Sequence, residues 1–447
     1  MTTLNTSIRD AWSDRITSTL RPEDPEWVVS AKREAAELIR SKGLPTRRDE
    51  DWRYTDPAPL LEADWRVGVD GPTPPPTEED IRAFTYWDAS AVRVVFLNGR
   101  YVPELSVHRT RTDGLSVVPL SEVMAGKHPS VESLVAQQLT ADRPAMDLLA
   151  TGGARDGLVL RLEDGVEVEG PIHVLCLTDA SGDDAYIPLF HVFELGGASR
   201  LTLVERYANL ASSPRSFTNS ATDILLGPGA CLDHYTLERE AERAIHLGAR
   251  HVRQEDRSEF RQTTFTIGAS LARHDTEVLC DGDETTTSLG ALFLGEGTQH
   301  IDHRILVHHR GDQSRSEQLF KGILDEGSTG VFNGRVVVDE GTHGNDAQQS
   351  NHNLLLSDDA TVNTRPQLEI YADDVSCSHG ATVGQLDPDS LFYLRTRGIP
   401  RGQAESLLTY AFASDVVDRI RIDFIRERVQ EFLSTRMEFG NTSEMTQ

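Results

Sequence analysis

The chain has 447 residues, of which 38% are hydrophobic and 6% aromatic, and its 44 basic and 71 acidic side chains give a formal net charge of −27. This excess of negative charge repels nucleic acids and anionic membranes, so neither is expected as a partner. The length exceeds that of one ordinary compact domain, and the low aromatic content favours a turn-rich fold over a helical bundle.

Residues 1–70 are predicted to form a helical N-terminal region. Asp24 is a candidate helix cap with Pro25 at the first helical position, and an apolar stripe then continues to Gly43. A charged segment, DEDWRYT, follows at residues 49–55. By itself this segment predicts a polar loop that is anchored by its two aromatic side chains.

Residues 71–154 are predicted to contain a linker, a hairpin and a mixed segment. The proline-rich run at 71–76 is typical of a semi-rigid linker and marks a domain boundary. Alternating apolar residues at 92–96 lead into Asn98-Gly99, which predicts a tight turn between two antiparallel strands.

Residues 155–386 are predicted to form a β-helix core. Short β-prone runs are separated by turn residues, and the turn glycines recur at intervals of 14 to 16 residues. These glycines are Gly268, Gly282, Gly297, Gly311, Gly327 and Gly341. The period is compatible with long hairpins in a sandwich, but coils with two turns each explain it better, because one core can then extend through a chain of this length.

Residues 387–447 are predicted to be helical. Asp387 is a candidate cap before Pro388, and Pro400 begins a second helix. Between residues 395 and 436 there are eight arginines against six acidic residues, a local excess of positive charge in an acidic chain. This excess indicates either a solvated helical face or a docking surface for a partner.

The four cysteines are Cys176, Cys231, Cys280 and Cys377, and they form no CxxC pair or disulfide framework. The N-terminus has no apolar segment of the kind found in a signal peptide, and no run approaches the roughly 20 apolar residues of a membrane span. The sequence therefore predicts a cytoplasmic protein.

A histidine-dense segment at residues 300–309 suggests a local metal site. Strand alternation divides it, however, with His300 and His308 facing one side and His303 and His309 the other. The chain also contains no phosphate-binding loop, dinucleotide fingerprint or nucleophile elbow. These motifs therefore give no indication of a nucleotide hydrolase.

The run from Asp373 to Asp387 places Cys377 two residues before His379. In an extended strand, residues two apart point to the same side, so the thiol and the imidazole would face one space. Sulfur and imidazole nitrogen are ligands for iron and zinc, but two ligands do not complete a four-coordinate site. Either the pair is structural or another chain supplies the remaining ligands.

The same run, continued through residues 391–399, resembles the C-terminal signature of the SufB/SufD family, the scaffolds of the SUF iron–sulfur cluster assembly system. The segment at 49–55 is similar to the N-terminal motif of that family. Ala360 stands six residues before Pro366, where the SufB branch carries an essential cysteine. This difference favours the SufD branch.

The resemblance implies a mainly β fold, with a right-handed parallel β-helix between helical terminal regions. It also implies a non-enzymatic scaffold that pairs with SufB and binds the ATPase SufC through the C-terminal helices. His379, with Cys377 as the weaker candidate, would contribute to a transient cluster shared with SufB. The residues expected to contact SufC are Phe392, Tyr393, Arg395, Arg397 and Leu408.

Three alternatives stay open at this point. They are a SufB-like paralogue, a carbohydrate-active β-helix enzyme, and a metalloprotein that uses the histidines near residue 303. No cofactor is expected to bind tightly to the isolated chain. The sequence leaves open whether that chain forms a homodimer, which cluster type is built and whether the complex holds a flavin.

Overall fold

The computed structural model describes residues 2–69, 71–72, 74–85, 91–109, 111–139, 143–179, 184–210 and 215–439. The helices are α1 (Thr2–Ser18), α2 (Glu26–Lys42), α3 (Ala58–Leu61), α4 (Glu78–Ile81), α5 (Leu120–Met124), α6 (Pro129–Leu139), α7 (Ala145–Gly153), α8 (Pro388–Thr396), α9 (Arg401–Val417) and α10 (Asp423–Phe439). Short 3₁₀ helices span Glu50–Trp52, Arg82–Phe84 and Pro103–Leu105.

The strands before the repeating core are β1 (Arg66–Val67), β2 (Val92–Leu97), β3 (Arg100–Tyr101), β4 (Val107–His108) and β5 (Leu115–Pro119). Those that follow are β6 (Leu158–Leu162), β7 (Ile172–Thr178), β8 (Ala185–Leu195), β9 (Arg200–Asn209), β10 (Ser216–Leu226), β11 (Cys231–Arg239), β12 (Ile245–Gln254), β13 (Glu259–Thr266), β14 (Leu271–Cys280), β15 (Thr286–Gly295), β16 (His300–His309), β17 (Arg315–Leu324), β18 (Thr329–Val338), β19 (Asn345–Leu355), β20 (Thr361–Ile370) and β21 (Val375–Gly384).

From β6 onward, successive strands belong alternately to two sheets, and the strands within each sheet are parallel. Sheet 1 contains the even-numbered strands from β6 to β20, and sheet 2 the odd-numbered strands from β7 to β21. Leu271 lies opposite His300, and His300 opposite Thr329, so one coil takes about 29 residues. The protein is a mainly β parallel solenoid of about seven turns with helices at both termini, which confirms the predicted fold class. Its right-handedness stays a prediction.

The recurrent glycines lie in the turns between solenoid strands, as the period predicts. The turns of successive coils stack so closely that a Cβ at Gly282 would lie 2.1 Å from the backbone nitrogen of Asp256. A Cβ at Gly311 would lie equally close, 2.1 Å, to the carbonyl oxygen of Gly282. Glycine is therefore required there because the neighbouring backbone occupies the space of a side chain.

The N-terminal end of the solenoid is covered by further strands of the chain, of which β5 is antiparallel and β2 parallel to the solenoid strand next to it. In sheet 1, β5 pairs with β6, and in sheet 2, β2 continues the sheet beyond β7 and pairs with β3. The predicted hairpin is present: β2 and β3 are antiparallel, and Asn98 and Gly99 both adopt positive φ angles at the turn. Covering an edge in this way removes a site for unwanted strand pairing.

The N-terminal helices pack on the outer face of sheet 1. Trp12 and Ile39 join Tyr186 and Phe217 of the sheet in one buried cluster. Helix α2 ends at Gly43, as predicted, but the expected cap at its start is wrong. Asp24 instead accepts hydrogen bonds from the backbone nitrogen and Nε of Arg21, both at 2.9 Å, so Pro25 occupies the cap position without a side-chain cap.

A lysine is buried where α2 meets the start of the solenoid. Lys32 is 1% exposed, and its Nζ donates to Thr19 Oγ1 at 2.8 Å and to the carbonyl oxygen of Ala154 at 2.6 Å. Burial lowers the pKa of Lys32 from its ordinary 10.5 to about 7. A buried ammonium loses hydration, so the neutral amine is favoured in the folded protein.

Replacing Lys32 with methionine is expected to remove the pH dependence that this side chain gives to the free energy of unfolding. Between pH 7 and 10.5 the unfolded chain holds a proton that folded Lys32 has released, so the free energy of unfolding rises by about 1.4 kcal/mol per pH unit. From pH 7, where folded Lys32 is half protonated, to pH 9, the stability difference should therefore shift by about 2 kcal/mol in favour of the wild type. Denaturant unfolding of both proteins at each pH measures this shift. Lys127→Met, at a side chain 63% exposed, is the control, and an equal shift there would contradict the explanation.

The C-terminal helices pack on the outer face of sheet 2. Asp387 caps α8 by accepting from the backbone nitrogens of Asp389 and Ser390, as predicted. Val416 and Ile420 lie in one apolar cluster with Phe265 of the sheet. These contacts fix the helical region on the solenoid.

The division of the chain at residues 70, 154 and 386 stays a prediction. Asp70 and Thr73, at the expected linker, and residues 440–447 of the expected C-terminal region lie outside the described residues. Across the described part of the chain, no helix is both long enough and apolar enough to span a membrane.

Candidate functional site

The C-terminal end of the solenoid differs from its N-terminal end. Strands β20 and β21 are the last strands of sheets 1 and 2, and each has one strand neighbour among the described residues, β18 and β19 respectively. No residue of either strand is fully buried. Two large apolar side chains are exposed here, Tyr371 at 62% and Val383 at 48%. The solenoid therefore ends in two open strand edges, which are templates for pairing with another chain.

The two candidate ligands lie on β21, at this open end. In the parallel register, Cys377 is opposite Ala347 and His379 is opposite Gln349. Ala347 and Gln349 are buried, whereas the intervening Gln348 is exposed on the outer face. Cys377 and His379 therefore point to the same side of the strand, as the two-residue spacing predicts, and that side is the interior of the last coil.

The Cys377 thiol lies in a largely apolar setting. The side chain is half-buried and packs with the cluster of Val336, Val338 and Ala347. Burial raises the pKa of the Cys377 thiol above its ordinary value. Because the thiolate is the stronger metal ligand, Cys377 is poorly prepared to bind a metal in the isolated chain.

His379 is exposed, so its imidazole is accessible from the open end. Within the described residues, no group of three or more histidine, cysteine, aspartate or glutamate side chains could hold a metal ion. Cys377 and His379 therefore lie as two candidate ligands at an open edge. Such a set can coordinate iron only if further ligands come from outside the described residues.

The histidine-dense segment divides between the two faces of β16, as strand alternation predicts. His303 and His309 are buried inside the solenoid, while His300 and His308 are half-buried on the outer face. Burial lowers the pKa of His303 to about 3, and its ring stacks on His274 with centroids 5.1 Å apart. These contacts indicate structural histidines.

The charged segment at 49–55 packs on the outer face of sheet 1. The guanidinium of Arg273 lies over the Trp52 ring at 3.9 Å and donates to the carbonyl oxygen of Asp51 at 2.8 Å. Thr55 donates from Oγ1 to Asp302 at 2.5 Å. The segment therefore attaches the N-terminal region to the solenoid, which the sequence did not reveal.

The residues expected to bind a partner lie on α8 and α9, apart from the strand that carries Cys377 and His379. Helix α8 has no buried residue, and Phe392 and Tyr393 are 69% and 57% exposed. Arg395 is exposed on the same helix, and Arg397, the exposed residue that follows the helix, lies over the Tyr393 ring at 5.2 Å. On α9, Leu408 is half-buried, while its neighbour Leu407, which sequence reasoning missed, is 51% exposed.

Sequence reasoning also missed a charged group in the solenoid interior. Glu205 accepts a hydrogen bond from His234 Nε2 at 2.9 Å and lies 3.6 Å from Arg250 Nη2, and all three side chains are buried. Burial alone would raise the pKa of Glu205, but His234 and Arg250 outweigh it and hold that pKa below its ordinary value. These residues lie on three different strands, so only the register of the coils brings them together.

Ala360 precedes β20 and is 7% exposed. It packs with Phe293, Ile301 and Leu324. This position therefore supplies an apolar contact and no metal ligand.

The fold and its open end define a β-solenoid protein with a thiol and an imidazole at an unpaired edge. A family model described as "SUF system FeS cluster assembly, SufBD core domain" matches residues 180–412, and one described as "SufBD protein N-terminal region" matches residues 13–174. The chain belongs to the SufBD family of iron–sulfur cluster assembly proteins.

Its relatives include the iron–sulfur cluster assembly protein SufD of Escherichia coli, which is 30% identical over 92% of this chain and 93% of the relative. An iron–sulfur cluster assembly SufBD family protein of Synechocystis is also 30% identical, over 92% of this chain and 91% of its own. SufD of Bacillus subtilis is 25% identical over 65% of each chain. These matches set aside the carbohydrate-active enzyme considered above.

Proposed function

We propose that this chain is a non-enzymatic scaffold subunit of the SUF complex, which pairs with SufB, binds the ATPase SufC and contributes to nascent cluster assembly at the SufB interface. The observation that carries the proposal is the position of Cys377 and His379 on an unpaired edge strand. An accessible imidazole and a thiol at a strand edge can be completed by ligands from a chain that pairs there.

The proposed pairing surface is the open end formed by β20 and β21. Both strands are ten residues long, and the exposed Tyr371 and Val383 extend the surface with apolar contacts. Pro366 lies within β20, which is typical of an edge strand because proline cannot donate to a neighbouring strand. SufB would cover this end, and a cluster would then be assembled as shared cargo.

His379 is the leading ligand in this proposal. Its exposed imidazole can bind iron or hold a proton as the cluster forms, while the raised pKa of Cys377 leaves the thiol as the weaker candidate. Ala360 supplies no thiol, so SufB would provide the cysteine ligand of the shared site.

The proposed SufC surface is the exposed face of α8 together with α9. Phe392 and Tyr393 are large aromatic side chains held away from the protein core, and Arg397 stacks on Tyr393. Aromatic and arginine side chains dominate the binding energy of many protein interfaces.

The double variant Phe392→Ala/Tyr393→Ala is expected to weaken SufC binding by at least about 30-fold, or ~2 kcal/mol. Its thermal unfolding should match the wild type, because both side chains are mainly exposed. Titration calorimetry with purified SufC measures the affinity. Thr396→Ala, on the same helix, is the control and should bind normally. Unchanged affinity of the double variant would remove α8 from the interface.

A further inference from the structure

A column of polar side chains leads inward from His379. In the parallel register of sheet 2, His379 lies opposite Gln349, and Gln349 lies opposite Gln318 one coil further in. Gln349 and Gln318 are 2% and 1% exposed. Gln349 is thus the interior residue directly beneath the candidate ligand.

The position of the Gln349 amide is fixed by its surroundings. Its Nε2 donates to Gln318 Oε1 at 2.9 Å. The facing strand contributes Gly334, and a Cβ there would lie 2.4 Å from Gln349 Nε2. The absence of a side chain at Gly334 therefore makes room for the amide.

This arrangement leaves the carbonyl oxygen of the Gln349 side chain buried without a hydrogen-bond partner. A buried acceptor without a donor is unfavourable, because it has lost its contact with water. The next side chain in the column toward the open end is His379, whose neutral ring has one N–H donor and one acceptor nitrogen. Histidines that bind metals almost always donate their second ring nitrogen to a carbonyl or carboxylate oxygen.

We propose that Gln349 is a positioning residue for His379. Its Oε1 accepts a hydrogen bond from one ring nitrogen of His379 once a partner covers the open end, and the other nitrogen is thereby directed at the shared site. The consequence for cluster assembly rests on the proposed function, whereas the juxtaposition of the two side chains does not.

The first test measures cluster formation in the co-expressed complex for Gln349→Met, Gln349→Glu and Gln348→Met. Gln349→Met keeps the length of the side chain but has no acceptor, so cluster yield should fall about tenfold, as for other partners of metal-binding histidines. Gln349→Glu keeps an acceptor oxygen, and Gln318 can turn its Nε2 toward the new carboxylate, so this variant should stay within about twofold of the wild type. Gln348→Met, on the outer face, should have no effect. A normal yield for Gln349→Met, or an equal loss for Gln349→Glu, would overturn the role.

The second test uses the isolated chain in a Cys377→Ser background. Gln349→Cys/His379→Cys should form a disulfide on mild oxidation, because directly opposed residues on adjacent strands are close enough to be bridged. Gln348→Cys/His379→Cys should not, because the side chains lie on opposite faces of the sheet. Absence of the first disulfide, or equal formation of both, would overturn the juxtaposition.

The two proposals fail in different ways. A normal cluster yield with His379→Ala would overturn the proposed function, and with it the role of Gln349 in assembly. Loss of clusters with His379→Ala together with a normal yield for Gln349→Met would overturn the positioning role alone.

Discussion

In a co-expressed complex with SufB and SufC, the His379→Ala variant is expected to form no iron–sulfur cluster, while its fold and its SufC binding stay intact. The imidazole is exposed at the open end, so its removal leaves no cavity in the core. The loss is expected because a shared site with few ligands cannot spare one of them. Iron and sulfide content, with the visible absorption of the purified complex, measures cluster formation, and circular dichroism checks the fold.

Two neighbouring variants separate this effect from a general disturbance of β21. Ser378→Ala lies between the two candidates on an exposed position and should assemble clusters normally. Cys377→Ala should cause a smaller loss than His379→Ala, because burial disfavours the thiolate. A normal cluster content in His379→Ala would refute the assigned role.

Features that follow from local periodicity could be predicted from the sequence. The spacing of the turn glycines predicts the coils because each turn must pass close to the turn below it, as at Gly282 and Gly311. The two-residue spacing of Cys377 and His379 predicts that both point to the same side of the strand, because strand side chains alternate. The helix cap at Asp387 could also be predicted, because it depends only on residues that are neighbours in the sequence.

Features that depend on the register between coils could not be predicted. Glu205, His234 and Arg250 are separated in the sequence and meet only because β9 and β11 are neighbours in sheet 2 and β12 lies in sheet 1 across the interior. The position of Cys377 and His379 at an open edge depends on where the last coil ends, which the periodicity alone does not specify. The unpaired oxygen of Gln349 likewise requires knowledge of Gln318 and Gly334.

A substitution at the open end is also expected to impair the binding of SufB without removing either candidate cluster ligand. Natural proteins protect strand edges with lysine, because a strand that pairs there must bury the charge. Val383 lies near the end of β21 with 48% of its surface exposed, so Val383→Lys can be accommodated in the isolated chain.

Val383→Lys is therefore expected to reduce the amount of SufB that co-purifies with this chain by at least about 30-fold, or ~2 kcal/mol, while SufC still binds through α8. Val383→Thr keeps the shape of the side chain without adding a charge and should retain SufB. Affinity purification from cells that express all three proteins measures both partners at once. If Val383→Lys retains SufB at the wild-type level, the pairing surface lies elsewhere on the solenoid. If it loses SufB and SufC together although its thermal unfolding matches the wild type, the independence of the two surfaces is refuted.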